Sequence, residues 1–283
     1  MTTAVDVAAP THVLGAAILP SEIDHLSWSG VSCFSQCSKK FEFRYLLKAV
    51  PAFVPSALAF GQAVHQSIEE VQAMRLQGAP VPELAHLLDV YDNAWKSNVS
   101  TVSAVQFSKD ENESTLRALA DRMLSAYRQH IIDSEDDGAV IIGIEHAARF
   151  KLHPDLPDIE ARIDLIELHG TDLVLTDYKT SRGKWNDAKA VENLPQLVMY
   201  AYAAKPFLRE LGATRIVPRF VVISKLKTTT IQTIEPRANQ ADADHLKAQI
   251  REVYRAIQTG VFVPRTGWHC GQCQFKSQCP AFS

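Results

Sequence analysis

The chain has 283 residues, 46% of them apolar and 22% charged, with a formal net charge of −3. That is enough to bury a sizeable core, and the mix is that of an ordinary globular protein. It excludes a bulk-basic chain that would advertise nucleic acid by net charge, so any nucleic-acid site has to be local. No apolar run is long enough to span a bilayer, and the first twenty residues hold no Lys or Arg for a secretory signal. The expected location is the cytoplasm, with no membrane contact.

Residues 1–26, rich in Ala, Pro and Thr, read as an extended or poorly ordered arm. From Ser27 to Lys48, Phe34, Cys37, Phe41 and Tyr45 recur at helical steps. Pro51 and Pro55 end that pattern. Further helices are expected over 58–76, 82–98 and 109–133, with a polar loop at 99–108 between the last two. The acidic run from Ser134 to Gly138 stops the fourth helix. The period then changes. Residues 140–152 and 159–168 read as strands, the second with Ile159, Ala161, Ile163, Leu165 and Glu167 on one side. His169-Gly170-Thr171-Asp172 is a hairpin turn before a strand over 173–179. A helix over 191–211 closes at Gly212, strands follow at 215–224 and 228–235, and a last helix over 238–259 closes at Gly260. The order is helices, then β-β-β-α-β-β, then a helix and a tail. That is an α/β core behind a helical insertion.

The tail carries Cys270-Gly-Gln-Cys273-Gln-Phe-Lys-Ser-Gln-Cys279. Five cysteines, three of them within ten positions, suit a reducing compartment and a metal site better than disulfides. A fourth thiolate has to come from Cys33 or Cys37, which would tie the two ends of the chain together. Four thiolates suit zinc or an iron–sulfur cluster. His269 is a further candidate ligand, and Trp268 is expected to pack over the site.

In the middle, Asp164 interrupts an apolar strand, where a carboxylate is costly unless paired or metal-bound. Asp177 and Lys179 are two apart and share a strand face. Two carboxylates and a lysine can converge there. Hard oxygen ligands of this kind suit Mg2+ or Mn2+, which polarise a phosphate and acidify water. The same spacing equally describes a salt bridge at a strand end. Glu145, on the preceding strand, and Arg162, on the same face as Asp164, are accessory candidates.

Asp164…Asp177-Tyr178-Lys179 resembles the D…(D/E)xK signature of the PD-(D/E)xK nuclease superfamily. The phrases Ala161-Arg-Ile-Asp-Leu-Ile and Leu175-Thr-Asp-Tyr-Lys-Thr-Ser are similar to those of its RecB-like exonuclease branch. Gly61-Gln-Ala-Val-His65 resembles the branch's Gly-x-x-x-His motif, and Gln196-Leu-Val-Met-Tyr200 its Gln-x-x-x-Tyr motif. The segment from Ser29 to Tyr45 resembles the one that supplies the first cluster cysteine. The whole set is similar to the iron–sulfur members, among them the CRISPR-associated exonucleases and AddB-type nuclease domains. It runs from about Ser27 to Pro280.

The resemblance implies a restriction-endonuclease-like core, a mixed sheet flanked by helices, with a helical insertion and a cysteine-ligated cluster joining the ends. One nuclease domain would fill 27–283: a helical part over 27–135, the catalytic core over 139–236, and a helix and cluster-binding tail over 237–283. It implies Mg2+ or Mn2+ on His65, Asp164, Asp177 and the Tyr178 carbonyl, with Lys179 as the catalytic lysine. Gln196 and Tyr200 would orient strand and phosphate. A [4Fe–4S] cluster would sit on Cys37, Cys270, Cys273 and Cys279, with zinc as the alternative. The implied activity is exonucleolytic cleavage of single-stranded DNA from a 5′ end, in repair, recombination or CRISPR spacer acquisition. The implied partners are DNA and either a CRISPR integrase or a helicase/repair complex. The rival reading is a cluster-stabilised DNA-binding module without catalysis, an adaptor in a DNA-processing complex.

Overall fold

A computed structural model describes residues 18–100, 104–134 and 138–282. The expected arm lies outside the described residues up to 17, but its end is folded. Pro20–Glu22 forms a 3-10 turn and His25–Ser27 a strand, β1. Ser27 Oγ accepts the Gly30 N–H and caps the first helix, α1 (Trp28–Gln36). The single helix expected to Lys48 breaks at Cys37, whose φ of −162° is extended. A short helix, α2 (Ser38–Phe41), and a π turn (Glu42–Leu46) follow.

Three helices come next: α3 (Ser56–Leu76), α4 (Leu84–Ser100) and α5 (Glu113–Asp133). Asn112 caps α5 by accepting the Thr115 N–H at 2.9 Å. Within the expected loop at 99–108, β3 (Val105–Gln106) pairs in parallel with β2 (Val54–Pro55), and 101–103 lie outside the described residues. So do 135–137 of the acidic run.

The core strands are β4 (Val140–Phe150), β5 (Asp158–His169), β6 (Asp172–Ser181), β7 (Arg215–Ser224) and β8 (Ile231–Ile234). The β5–β6 hairpin turns at Gly170-Thr171, with Gly170 at φ 59°, a conformation glycine adopts without strain. Helix α6 (Asp187–Glu210) carries the chain from β6 to its parallel neighbour β7. Helix α7 (Gln240–Gln258) precedes the cysteine tail.

The mixed sheet has helices on both faces. One core joins α1, α6 and α7 to the sheet through residues such as Ile159, Ile163, Leu197, Phe220 and Ile250. The other joins α3, α4 and α5 through Phe60, Ile68, Trp95, Leu124 and Val221. The candidate site lies where strand pairing changes. β5 meets β4 along one edge. Its other edge is shared, with β1 against Asp158–Glu160 and β6 against Leu165–His169. Past Thr176, β6 leaves β5 and continues beside β7. The two central strands fork between Asp164 and Asp177.

Candidate active site

The fork corrects one expectation. Ile159, Ala161 and Ile163 do pack together against the α6 side, but Leu165 packs on the opposite face with α3 to α5. Glu167 faces that way too, reaching Arg75 of α3 at 3.3 Å. The alternation slips at Asp164-Leu165. The β4–β5 ladder skips Asp164 and Glu145, and Glu145 has φ 46°, the left-handed region that non-glycine residues rarely enter. Both strands bend at the site, which a fixed period of two cannot foresee.

Asp164 replaces the missing ladder contact: its Oδ2 accepts the Tyr178 main-chain N–H at 2.8 Å. His65, two turns into α3, brings Nδ1 to 3.7 Å from the same oxygen. His65, Glu145 and Asp164 each offer a ligand atom, all within 4.8 Å of one another. They open onto a groove of about 560 Å3 lined also by Gly61, Glu69 and Arg162. Arg162 lies 3.7 Å from Glu145 and is mostly exposed.

Asp177 lies outside that trio but feeds the same field. It is 1% exposed. Its Oδ1 accepts the Tyr200 hydroxyl at 3.1 Å. Tyr200 in turn accepts from Gln196 Nε2 at 2.8 Å, and Gln196 Oε1 accepts from Lys179 Nζ at 3.0 Å. Lys179 Nζ closes the ring at 2.7 Å from Asp177 Oδ2. That last contact is an ion pair, so the buried Oδ2 is held by the Lys179 ammonium. Gln196 and Tyr200 thus sit on the acid–lysine pair itself, one helical turn apart on α6.

The charges oppose one another. Burial, and then the neighbouring Asp177, push the Asp164 carboxyl well above the usual range, against the Tyr178 N–H. Burial, then Glu69, raise Glu145, and Arg162 opposes them. Burial holds the His65 imidazole below its ordinary value, although Asp177 pulls it up. Burial also keeps the Tyr200 hydroxyl protonated, so it remains a donor. Two acids held above their ordinary range, Asp164 and Glu145, facing an imidazole fit a small hard cation. The donor set of imidazole nitrogen and carboxylate oxygens suits Mg2+ or Mn2+.

The sequence did not point to Gln72 and Tyr127. The buried Tyr178 hydroxyl meets Gln72 Nε2 and the Tyr127 hydroxyl, each at 3.0 Å, and the two rings stand edge to face. These helix residues brace the strand segment between Asp177 and Lys179. A Gln and a Tyr on separate helices leave no sequence signal that they meet.

Cys37, Cys270, Cys273 and Cys279 line one small cavity of about 20 Å3, and Cys33 packs in the core instead. The break at Cys37 is what takes its side chain off the face of Cys33. The Arg265 N–H lies 3.4 Å from Cys37 Sγ. Lys40, Arg265 and Lys276 line the wall with no carboxylate among the lining residues. His269 lines it as well, with Nε2 2.7 Å from the Arg265 carbonyl. Trp268, expected to pack over the site, is 89% exposed, because its 3-10 turn has no second layer above it.

A forked mixed sheet with an acid–lysine pair at the fork defines a nuclease-type core. A family model described as the PD-(D/E)XK nuclease superfamily matches residues 25–280, and the chain belongs to that superfamily. Its backbone is similar to the crystal structure of an exonuclease candidate from Eubacterium rectale. The TM-score is 0.55 at 12% identity, over 89% of this chain and 87% of that one. A second structure, SSO0001, is 17% identical with a TM-score of 0.31, over 60% of this chain and 79% of that one. No curated protein matches. No helix among the described residues is long and apolar enough to cross a membrane.

Proposed function

We propose that the protein is a metal-dependent DNA exonuclease that hydrolyses phosphodiester bonds of single-stranded DNA from a 5′ end. The observation that carries the nuclease chemistry is the buried Asp177–Lys179 ion pair next to the His65–Glu145–Asp164 trio. His65, Asp164, Asp177 and the Tyr178 carbonyl would hold Mg2+ or Mn2+, with Glu145 as a further carboxylate. The bound ion would supply Lewis acidity toward the phosphate and lower the pKa of water. Lys179, held by Gln196 and Asp177, aims its ammonium at the fork, where it orients water or meets charge developing on the phosphate. Gln196 and Tyr200 keep the lysine and the acid in register. Arg162, exposed at the groove edge, is placed to meet a backbone phosphate.

The single-strand preference and 5′ polarity rest on the resemblance to the RecB-like branch, as do roles in repair, recombination or CRISPR spacer acquisition. So do an integrase or a helicase/repair complex as partner. The cysteine cavity supports the same branch. The resemblance to that branch favours a [4Fe–4S] group on Cys37, Cys270, Cys273 and Cys279, with zinc as the alternative. Digestion of end-labelled single-stranded DNA with Mn2+, using protein purified anaerobically, tests the reading. Loss of label from the 5′ end first, and a visible absorption band bleached by reductant, are the expected results. An inert protein that binds DNA tightly would replace it with the adaptor reading.

A further inference from the structure

Four basic residues gather beyond the fork. Arg182 and Lys184 follow the end of β6, and Lys225 and Lys227 follow the end of β7. The two segments meet where the Lys225 N–H donates to the Ser181 carbonyl at 2.6 Å. Neither 181–186 nor 225–230 contains an acid. Among the described residues none of the four cations makes an ion pair. Arg182, Lys184 and Lys227 are exposed.

Lys225 is the unusual member. It is half-buried, and its Nζ stands 4.5 Å over the ring centroid of Phe60 on α3. Burial holds its ammonium below the ordinary value; Glu111 opposes that shift and Arg182 adds to it. Glu111 already has its Oε2 engaged by the Ser56 hydroxyl at 2.9 Å and the Ser108 N–H at 3.2 Å. A cation kept where burial penalises its charge, with a ring face beneath it, lacks a counter-charge. A lysine placed for solubility needs neither the burial nor the ring.

The position selects the anion. Ser181, bonded to Lys225, follows Lys179 by two strand residues, about 7 Å. Phe60, under Lys225, precedes Gly61, which lines the groove at the fork. A Cβ at Gly61 would stand 3.6 Å from Thr180 Oγ1, so helix and strand close on each other between the two places. In strand order the acids of the fork are flanked by cations, Arg162 on β5 and this group beyond β6 and β7. A chain of repeated phosphates meets both flanks; a single anion does not. We propose that Lys225, with Arg182, binds a backbone phosphate of the DNA strand beside the one at the fork, and the assignment rests on the nuclease reading. Lys225 supplies a point charge held on Phe60, and Arg182 a planar set of donors. Such a contact carries no base information, so it holds the strand whatever its sequence.

The experiment is fluorescence anisotropy of labelled single-stranded oligonucleotides, one all-thymine and one of mixed sequence. They are titrated with the full chain at several salt concentrations without divalent metal. Lys225→Met keeps an apolar stem over Phe60 and removes the charge. It should weaken binding of both oligonucleotides at least about tenfold, the weight of one lost hydrogen bond to a charged group. The slope of log affinity against log salt should fall by about 0.7, the share of one phosphate on a single strand. Its melting temperature should not fall, since the charge removed is one that burial penalises. Unchanged affinity, an unchanged slope, or a loss confined to one oligonucleotide each overturns the proposal. If the methionine variant melts below the parent, Arg182→Gln, at an exposed position, decides in its place by the same readouts. Poly-glutamate bound as tightly as DNA overturns it in favour of an acidic protein partner. Cleavage plays no part in the titration, so the two readings fail separately. The predicted losses in a parent that never cleaves with Mn2+ would sink the exonuclease and leave the contact. Cleavage with parent-like affinity in Lys225→Met would sink the contact alone.

Discussion

The fork and the cysteine cavity both gather costly polar side chains, yet they are held in opposite ways. The fork hangs on two central strands, on α3 and on α6, and its acid–lysine pair is closed into a ring by Gln196 and Tyr200. It is preorganised without an ion. The cavity is assembled from the two chain ends. Its tail is a run of three-residue turns, Cys270 to Gly267, Cys273 to Cys270 and Cys279 to Lys276, pinned by a few outside bonds such as Gln274 to Phe53 and Gln278 to Val50. Such a segment, with Phe275 and Cys279 as its buried residues, would gain order from a metal group bound to its thiolates. One site is a tool mounted on a frame. The other is a clasp.

The sharpest way to break that comparison is to strip each site in turn. Asp177→Ala and Lys179→Ala should each cut the cleavage rate by about 10²–10³-fold or more, with unchanged far-UV circular dichroism. Retained metal-dependent cleavage in both variants would remove the fork from the chemistry. Cys273→Ser should do the reverse, costing more stability than the roughly 1 kcal/mol of an average substitution while leaving the rate per folded molecule near the parent's. Thermal unfolding monitored alongside cleavage reads both, and a cysteine variant with full stability would show that the clasp holds nothing together.

Asp164→Asn separates the frame from its ion. The Asp164 carboxyl is raised in the fold, so the folded chain binds that proton more tightly than the unfolded chain. Stability of the metal-free protein therefore falls as pH rises from the ordinary carboxylate range through the raised one. Asparagine keeps the acceptor for the Tyr178 N–H and carries no charge. At neutral pH the variant should be inactive yet more stable without metal, by about 1.4 kcal/mol for each pH unit of the raised range, or about 2–4 °C per kcal/mol. Mg2+ should raise the melting temperature of the parent and not of the variant. A variant that melts lower than the metal-free parent at neutral pH would contradict the burial argument.

The same contrast governs what was legible in the sequence. Helix spans, the Gly170 hairpin and the Asp177/Lys179 pair are local, set by period, turn chemistry and a spacing of two. The strand fork was not legible, because it depends on β1 and β6 competing for one edge of β5, and those strands lie far apart in the chain. Glu145 was legible as an accessory candidate, but its left-handed backbone opposite Asp164 was not. Cys37 was readable as a ligand type, but the break that turns it from Cys33 toward the tail was not. A helical period assumes the helix continues.

The smallest expected effect bears most directly on preorganisation. Tyr200→Phe removes one hydroxyl that donates to Asp177 and accepts from Gln196, and leaves the ring in the core. A hydrogen bond to a carboxylate is worth about 1.5 kcal/mol at the low end, which is about tenfold in rate. If the ring of four residues only positions the lysine and the acid, kcat should fall by about that factor while KM for DNA holds. The metal dependence should shift to higher Mn2+, since Asp177 loses the donor that fixes its Oδ1. A fall as large as that of Lys179→Ala would instead place the tyrosine hydroxyl in contact with the reacting phosphate. The two outcomes differ by about 10–100-fold, so one rate measurement decides whether α6 frames the site or belongs to its working edge.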